Sequence, residues 1–266
     1  MGQRITRQRY QESGISSFLD SQWWLGLKLG ANLTQPDPSD TYSALSAINY
    51  DNEDLEKEYE VFTLPGMHAG LDITYYHRGF YVGLQPVFKR IRYAYQNQLT
   101  WDSNTQQEAF LTDYDVEQSI EYVEIPLVVK YDIVKSGNLR PFVSGGIAYS
   151  MVTGARKKLN IMHSDMVLNT TLDGGEVRLS VADEFQAYAG VMGGIGASID
   201  YGNIRAILDV VYHFGLTSAV DQDQIFNENE LFSLGDVNDN VFLRTINISL
   251  GLVFPLRFLD TTFQSG

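Results

Sequence analysis

The chain has 266 residues, a formal net charge of −14 and no cysteine, which excludes disulfides, thiol nucleophiles and thiolate metal sites and argues against nucleic acid as a partner. Hydrophobic residues make up 44% of it, yet the mean hydropathy is −0.16 and no run reaches the ~20 consecutive apolar residues of a membrane helix. A closed membrane barrel escapes such averages, because lipid-facing and lumen-facing residues alternate along each strand and cancel.

Met1–Asp20 is polar and holds Arg4, Arg7 and Arg9, so it is no secretory leader, and an exported protein would be numbered here in its mature form. The chain then turns to strict alternation. Trp23, Leu25, Leu27, Leu29, Ala31 and Leu33 make one apolar face, while Trp24, Gly26, Lys28, Gly30 and Asn32 make a small or polar one. The same period of two predicts strands at 22–34, 65–77, 79–95, 118–133, 139–154, 185–200, 203–217 and 241–256. The second, fourth and sixth connections are tight and carry turn residues, His77-Arg78-Gly79, Lys135-Ser136-Gly137-Asn138 and Tyr201-Gly202-Asn203. The odd-numbered connections run to about twenty or thirty residues. Short turns alternating with long loops are the mark of an outer-membrane barrel, so the expected fold is all-β, an eight-stranded antiparallel up-and-down transmembrane β-barrel with both termini periplasmic.

The alternation also assigns faces. Met67, Ala69, Leu71, Ile73 and Tyr75 point to lipid, as do Ile125, Leu127 and Val129 of the fourth strand and Leu208, Val210 and Tyr212 of the seventh. Inward lie Lys28, Asp72, Lys89, Glu124, Lys130, Arg205 and Asp209, four bases and three acids. In a narrow lumen these must pair, since an unpaired buried ion costs several kcal/mol. The aromatics Trp23, Trp24, Tyr75, Tyr76, Phe80, Tyr81, Tyr131, Tyr201 and Phe258 fall near the short-turn side, as an interfacial girdle would. Lys89-Arg90-Ile91-Arg92 breaks the alternation of the third strand, which should leave the hydrocarbon at Phe88 and offer its bases to acidic headgroups or acidic loops. Pro86 and Pro126 each delete a ladder donor, and bulges are expected there. Asp37–Glu60 and Asp221–Asp239 are rich in acids and read as solvated loops.

No motif makes a convincing catalytic, cofactor or metal site. His163-Ser164-Asp165 supplies triad residue types in immediate succession within a long loop, where neighbours cannot adopt triad geometry. His213 and Asp209 share a face but stand ~13 Å apart along one strand. The glycines from Gly190 to Gly196 precede a strand, not a helix, so they are not read as a phosphate loop. Asp51-Asn52-Glu53-Asp54 lacks the spacing and glycine of a calcium loop.

One segment is more specific. Tyr122-Val123-Glu124-Ile125-Pro126-Leu127-Val128-Val129-Lys130-Tyr131 resembles the hallmark strand of the PorT-like outer-membrane barrels of Bacteroidota. Leu27–Leu33 resembles that family's first strand, Leu139–Gly146 its fifth and Tyr212–Thr217 its seventh, so the resemblance spans residues 22–258. The departures are the long acidic first loop, the Arg-rich arm before Ser21 and the tail Leu259–Gly266. The resemblance implies a barrel without enzymatic activity or cofactor, in some members tied to type IX secretion. The domains expected are a periplasmic arm at 1–20, the barrel with acidic external loops at 21–258 and a tail at 259–266. The expected partners are outer-membrane lipid, lipopolysaccharide and proteins of a secretion or envelope-assembly complex. A narrow ion or small-molecule pathway and a lipid-modifying enzyme are the alternatives. A soluble lipocalin-like barrel is disfavoured because the outward faces are the apolar ones.

Overall fold

In a computed structural model the described residues are 21–42, 57–102, 109–135, 137–165, 168–224 and 236–256. They form β1 (Ser21–Asp40), β2 (Glu58–Tyr59), β3 (Pro65–His77), β4 (Phe80–Leu84), β5 (Val87–Asp102), β6 (Ala109–Asp132), β7 (Leu139–Asp165), β8 (Thr170–Ser180), β9 (Tyr188–Tyr201), β10 (Ile204–Gly215) and β11 (Asn240–Pro255). All ladders are antiparallel. β1 pairs with β3 on one side and β11 on the other, from Trp24↔Pro255 to Asp40↔Asn240, which closes the ring. β4 and β5 share one stave, while β2 and β8 pair outside the ring, so the described residues make an eight-stranded antiparallel barrel. The arm 1–20, the tail 259–266 and Phe258 lie outside the described residues.

The expected strand at 79–95 is broken at Gln85 and Pro86, and two prolines explain the break. The Gln85 amide donates to the Pro126 carbonyl at 3.1 Å and the Leu71 amide donates to the Pro86 carbonyl at 2.9 Å. In each narrow pair the return bond would need a proline N–H. The two missing bonds, from Pro126 to Gln85 and from Pro86 to Leu71, thus fall at the same two residues, one toward each neighbouring strand. Register nevertheless runs straight through: Leu84 faces Ile73 and Leu127, and Val87 faces Gly70 and Glu124. The bulges expected at Pro86 and Pro126 are therefore absent; the register shift of β6 against β7 lies at Glu121/Tyr122.

On the side away from the short turns β1, β5, β6 and β7 exceed their sequence-based ends, whereas β9 begins at Tyr188 and β10 ends at Gly215, inside the expected 185–200 and 203–217. β6 and β7 run to 24 and 27 residues, against the ~9–11 that cross a bilayer. β8, unforeseen in the long fifth connection, continues this sheet by pairing Arg156–Asp165 of β7 with Thr170–Ser180. His163-Ser164-Asp165 accordingly sits in a strand and not in a loop.

Outside, the barrel presents the expected apolar belt, with Leu27, Met67, Phe88, Leu127, Ile147, Ile195, Leu208 and Leu250 all exposed. Inside, small residues let long ones fill the lumen. A Cβ on Gly30 would lie 2.7 Å from the His68 imidazole. Two apolar clusters stand along the axis. A small one at the turn end joins Trp24, Tyr76, Tyr81 and Val253. A larger one at the loop end packs Ile91, Tyr93, Tyr95, Ile120, Leu159, Phe185, Val237 and Leu243 within the mouth.

Candidate functional site

The girdle divides by strand parity. Trp23, Tyr75, Phe80, Tyr131 and Tyr201 are exposed, whereas Trp24, Tyr76 and Tyr81 are buried in the lumen. Adjacent strand residues face opposite ways, so Trp23-Trp24, Tyr75-Tyr76 and Phe80-Tyr81 each contribute one ring to each side. The inner rings enclose Arg205. Its guanidinium lies 4.3 Å above the Trp24 ring, and Nη1 donates to the Tyr81 hydroxyl at 2.7 Å. Nε and Nη2 donate to the two oxygens of Asp200 at 2.5 and 2.9 Å. Tyr81 in turn donates to Asp132 at 2.8 Å. Flat, forked and always charged, an arginine suits a site that is aromatic above and carboxylate at the side.

Further along the axis the remaining inward charges meet in pairs. Lys28 Nζ is 2.9 Å from Asp209 Oδ2, which decides among its possible partners Asp72, Glu124 and Asp209. Asp72 takes Lys130 at 3.4 Å and Gln85 at 2.7 Å, with Thr74 also donating to it. Lys89 reaches both oxygens of Glu124 at 3.0 Å. Ser150 donates to the same carboxylate at 3.4 Å, and His213 Nδ1 lies 3.3 Å away. His213 thus engages Glu124 across the lumen, not Asp209 on its own strand. The fourth base, Arg205, pairs with Asp200 and with none of the three inward acids. Sequence reasoning passed over Asp200 because it stands at the strand end, although its one-turn offset from Arg205 across Tyr201-Gly202-Asn203 was a usable signal.

The packing leaves little free space among these pairs. One cavity of about 20 Å³ lies between Trp24, Lys130, Phe142 and Arg205. Another of about 30 Å³ lies between Lys28, His68, Glu124 and Asp209. Each is of the size that holds water and no larger solute.

Above the lumen a second buried polar cluster caps the mouth, and here two acids of the second acidic connection, Asp236 and Asp239, depart from a solvated reading. Asp236 and Asp239 are 0% and 1% exposed. Lys57 is 2.5 Å from Asp239 and also donates to the Tyr42 carbonyl at 2.9 Å. Tyr59 donates to Asp239 at 2.8 Å. Lys157 reaches Asp236 at 3.0 Å and Asn238 at 2.7 Å, and Tyr95 donates to Asp236 at 2.6 Å. Asn238 donates to Glu184. Burial would raise the Asp236 carboxyl, but Lys157 and Lys57 beside it hold it below the usual carboxylate range. Burial pushes the Glu184 carboxyl up to about 7, against the pull of Lys157 and with the added repulsion of Asp236. Among the described residues no three His, Asp or Glu side chains gather as a metal site. The stretch Asp51–Asp54 lies outside them.

Residues 8–221 match the family model described as "Outer membrane protein beta-barrel domain". No curated protein matches the sequence. Among solved structures, OprG from Pseudomonas aeruginosa is similar at 11% identity and a TM-score of 0.45, over 88% of this chain and 95% of that one. Neisserial surface protein A is similar at 13% identity and a TM-score of 0.38, over 88% and 97%. Ail of Yersinia pestis, solved with the heparin analogue sucrose octasulfate, is similar at 10% identity and a TM-score of 0.31, over 88% and 99%.

Proposed function

The chain belongs to the outer membrane protein beta-barrel domain family, and from that premise we propose that it is a non-enzymatic barrel that holds exposed segments for contact with other proteins, as a subunit of a secretion or envelope-assembly complex. The observation that carries this reading is the filled lumen. Lys28–Asp209, Lys130–Asp72, Lys89–Glu124 and Arg205–Asp200 occupy successive levels of the interior, and the cavities between them are water-sized. A barrel so filled does not pass nutrients by bulk diffusion, and of its two buried histidines among the described residues His213 is committed to a structural carboxylate and His68 to Ser249. What remains available for function is the outside.

In this reading the short turns and both termini lie in the periplasm, in keeping with the usual order of short and long connections. The arm 1–20 and the tail 259–266 are the periplasmic contact segments, and the long connections face the cell exterior. The likeness of Tyr122–Tyr131 to the hallmark strand of PorT-like barrels supports type IX secretion as the setting. Affinity purification from native outer membranes in mild detergent, followed by mass spectrometry, tests the proposal. Stoichiometric envelope proteins should accompany the wild-type barrel and be lost when residues 1–20 are deleted. Recovery of the barrel alone would overturn it.

A further inference from the structure

The outward face of β5, β6, β7 and β8 changes character abruptly where the apolar belt ends. Phe88, Val123 and Met151 are its last apolar residues on β5, β6 and β7. Two positions on, Arg90 faces outward, and two more bring Arg92 level with Ser119, Arg156 and Ser180 in one cross-strand row. The next row aligns Glu117, Lys158 and Arg178. At ~3.3 Å per residue and a tilt near 40°, Arg90 stands about 5 Å and the Arg92–Arg156 row about 10 Å above the apolar edge, the depth of a glycolipid headgroup.

These residues make a basic patch on an acidic protein. Arg90, Arg92, Arg156, Lys158 and Arg178 face Glu121, Glu117 and Glu176, an excess of two positive charges in a chain of net −14. The ion pairs leave donors over. Arg92 engages Glu117 through Nη2 at 3.1 Å, and Arg178 engages Glu176 through Nε at 2.7 Å. Among the described residues Arg156 has no carboxylate partner, and it is exposed. Together with Ser119 and Ser180 these side chains line an open groove of about 420 Å³, the size of a small-molecule site.

We propose that this groove binds the phosphate-bearing headgroup of an outer-leaflet glycolipid, with Arg156, Arg178 and Lys158 as phosphate ligands. Unspent guanidinium donors match phosphate oxygens, and lipid is the source because the apolar belt directly below would seat the acyl chains of the same molecule. The inference rests on the loop end facing the outer leaflet.

The test uses the full-length barrel refolded in detergent micelles, with binding of diphosphorylated lipid A followed by tryptophan fluorescence and native mass spectrometry. Wild type should bind lipid A, and dephosphorylated lipid A should bind roughly tenfold more weakly or worse, the loss expected when charge-assisted hydrogen bonds go. The variant R156A/K158A/R178A should lose as much, with its heat-modifiable gel shift intact, whereas K135A at the turn end should not. Should the triple variant not fold, R156A and the wild-type comparison of the two lipids decide. Equal binding of both lipids would overturn the proposal, and so would displacement of lipid A by millimolar inorganic phosphate, which would make free phosphate the ligand. Binding to purified barrel is independent of the company it keeps in the membrane. Failure here leaves the complex-subunit reading standing, and failure of co-purification leaves this one.

Discussion

The lumen pairs are costly to break singly and cheap to replace together. Lys89 and Glu124 are 1% and 2% exposed, so a K89M variant leaves the carboxylate buried with only His213 and Ser150 beside it. Removing one partner of such a pair costs about 3–5 kcal/mol, whereas an apolar pair of similar volume is close to neutral. K89M should therefore lower stability by about 3–5 kcal/mol in urea titrations of vesicle-embedded barrel, and K89M/E124L should recover most of it. A double variant as unstable as the single one would mean that the charges serve something other than closure. At this scale the sequence was informative where neighbours alternate and misleading where they were pooled. Lys28 and Glu124 were placed by parity alone, but grouping Trp23 with Trp24 ignored the same parity, and the site of Arg205 went unseen.

At the scale of elements, the strand centres were legible because lipid on one side and packed lumen on the other enforce a period of two. Past Phe88 that constraint ends. Arg90 and Arg92 then face acids, and further out the pattern no longer says whether the backbone is a strand, which is why β5 was followed only to 95 and its continuation to Asp102, β6 before 118, β7 beyond 154 and all of β8 were read as connections. The cap was hidden for another reason. Asp236 and Asp239 meet Lys157 and Lys57 from remote segments, and an acidic run shows nothing of partners so far away in sequence. The cap carries a pH dependence. Glu184 titrates near 7 in the fold against an ordinary 4.5, so between those values the folded cap holds a proton that the open form releases. Cap stability should fall as pH rises from about 4.5 to about 7 and stay level above. Amide exchange at 236–241, corrected for intrinsic rates, should show more frequent opening at pH 8 than at pH 5, and E184Q should flatten the difference. An unchanged slope in E184Q would assign the dependence elsewhere.

For the whole molecule, the two ends of the ladder meet: β1 pairs with β11 over most of their length, and the interior is closed by charge pairs below and by a folded cap above. The barrel class was legible because eight alternating segments with tight even-numbered turns allow few other closed arrangements; the cap was not, because it depends on contacts between distant connections. The central claim is that this barrel is sealed. Planar-bilayer recording of the refolded protein tests it most directly. The account predicts a silent membrane at ordinary voltages for the wild type. Stable unitary conductance steps that vanish in K28M or E124Q would contradict it, since they would make the paired lumen a pathway.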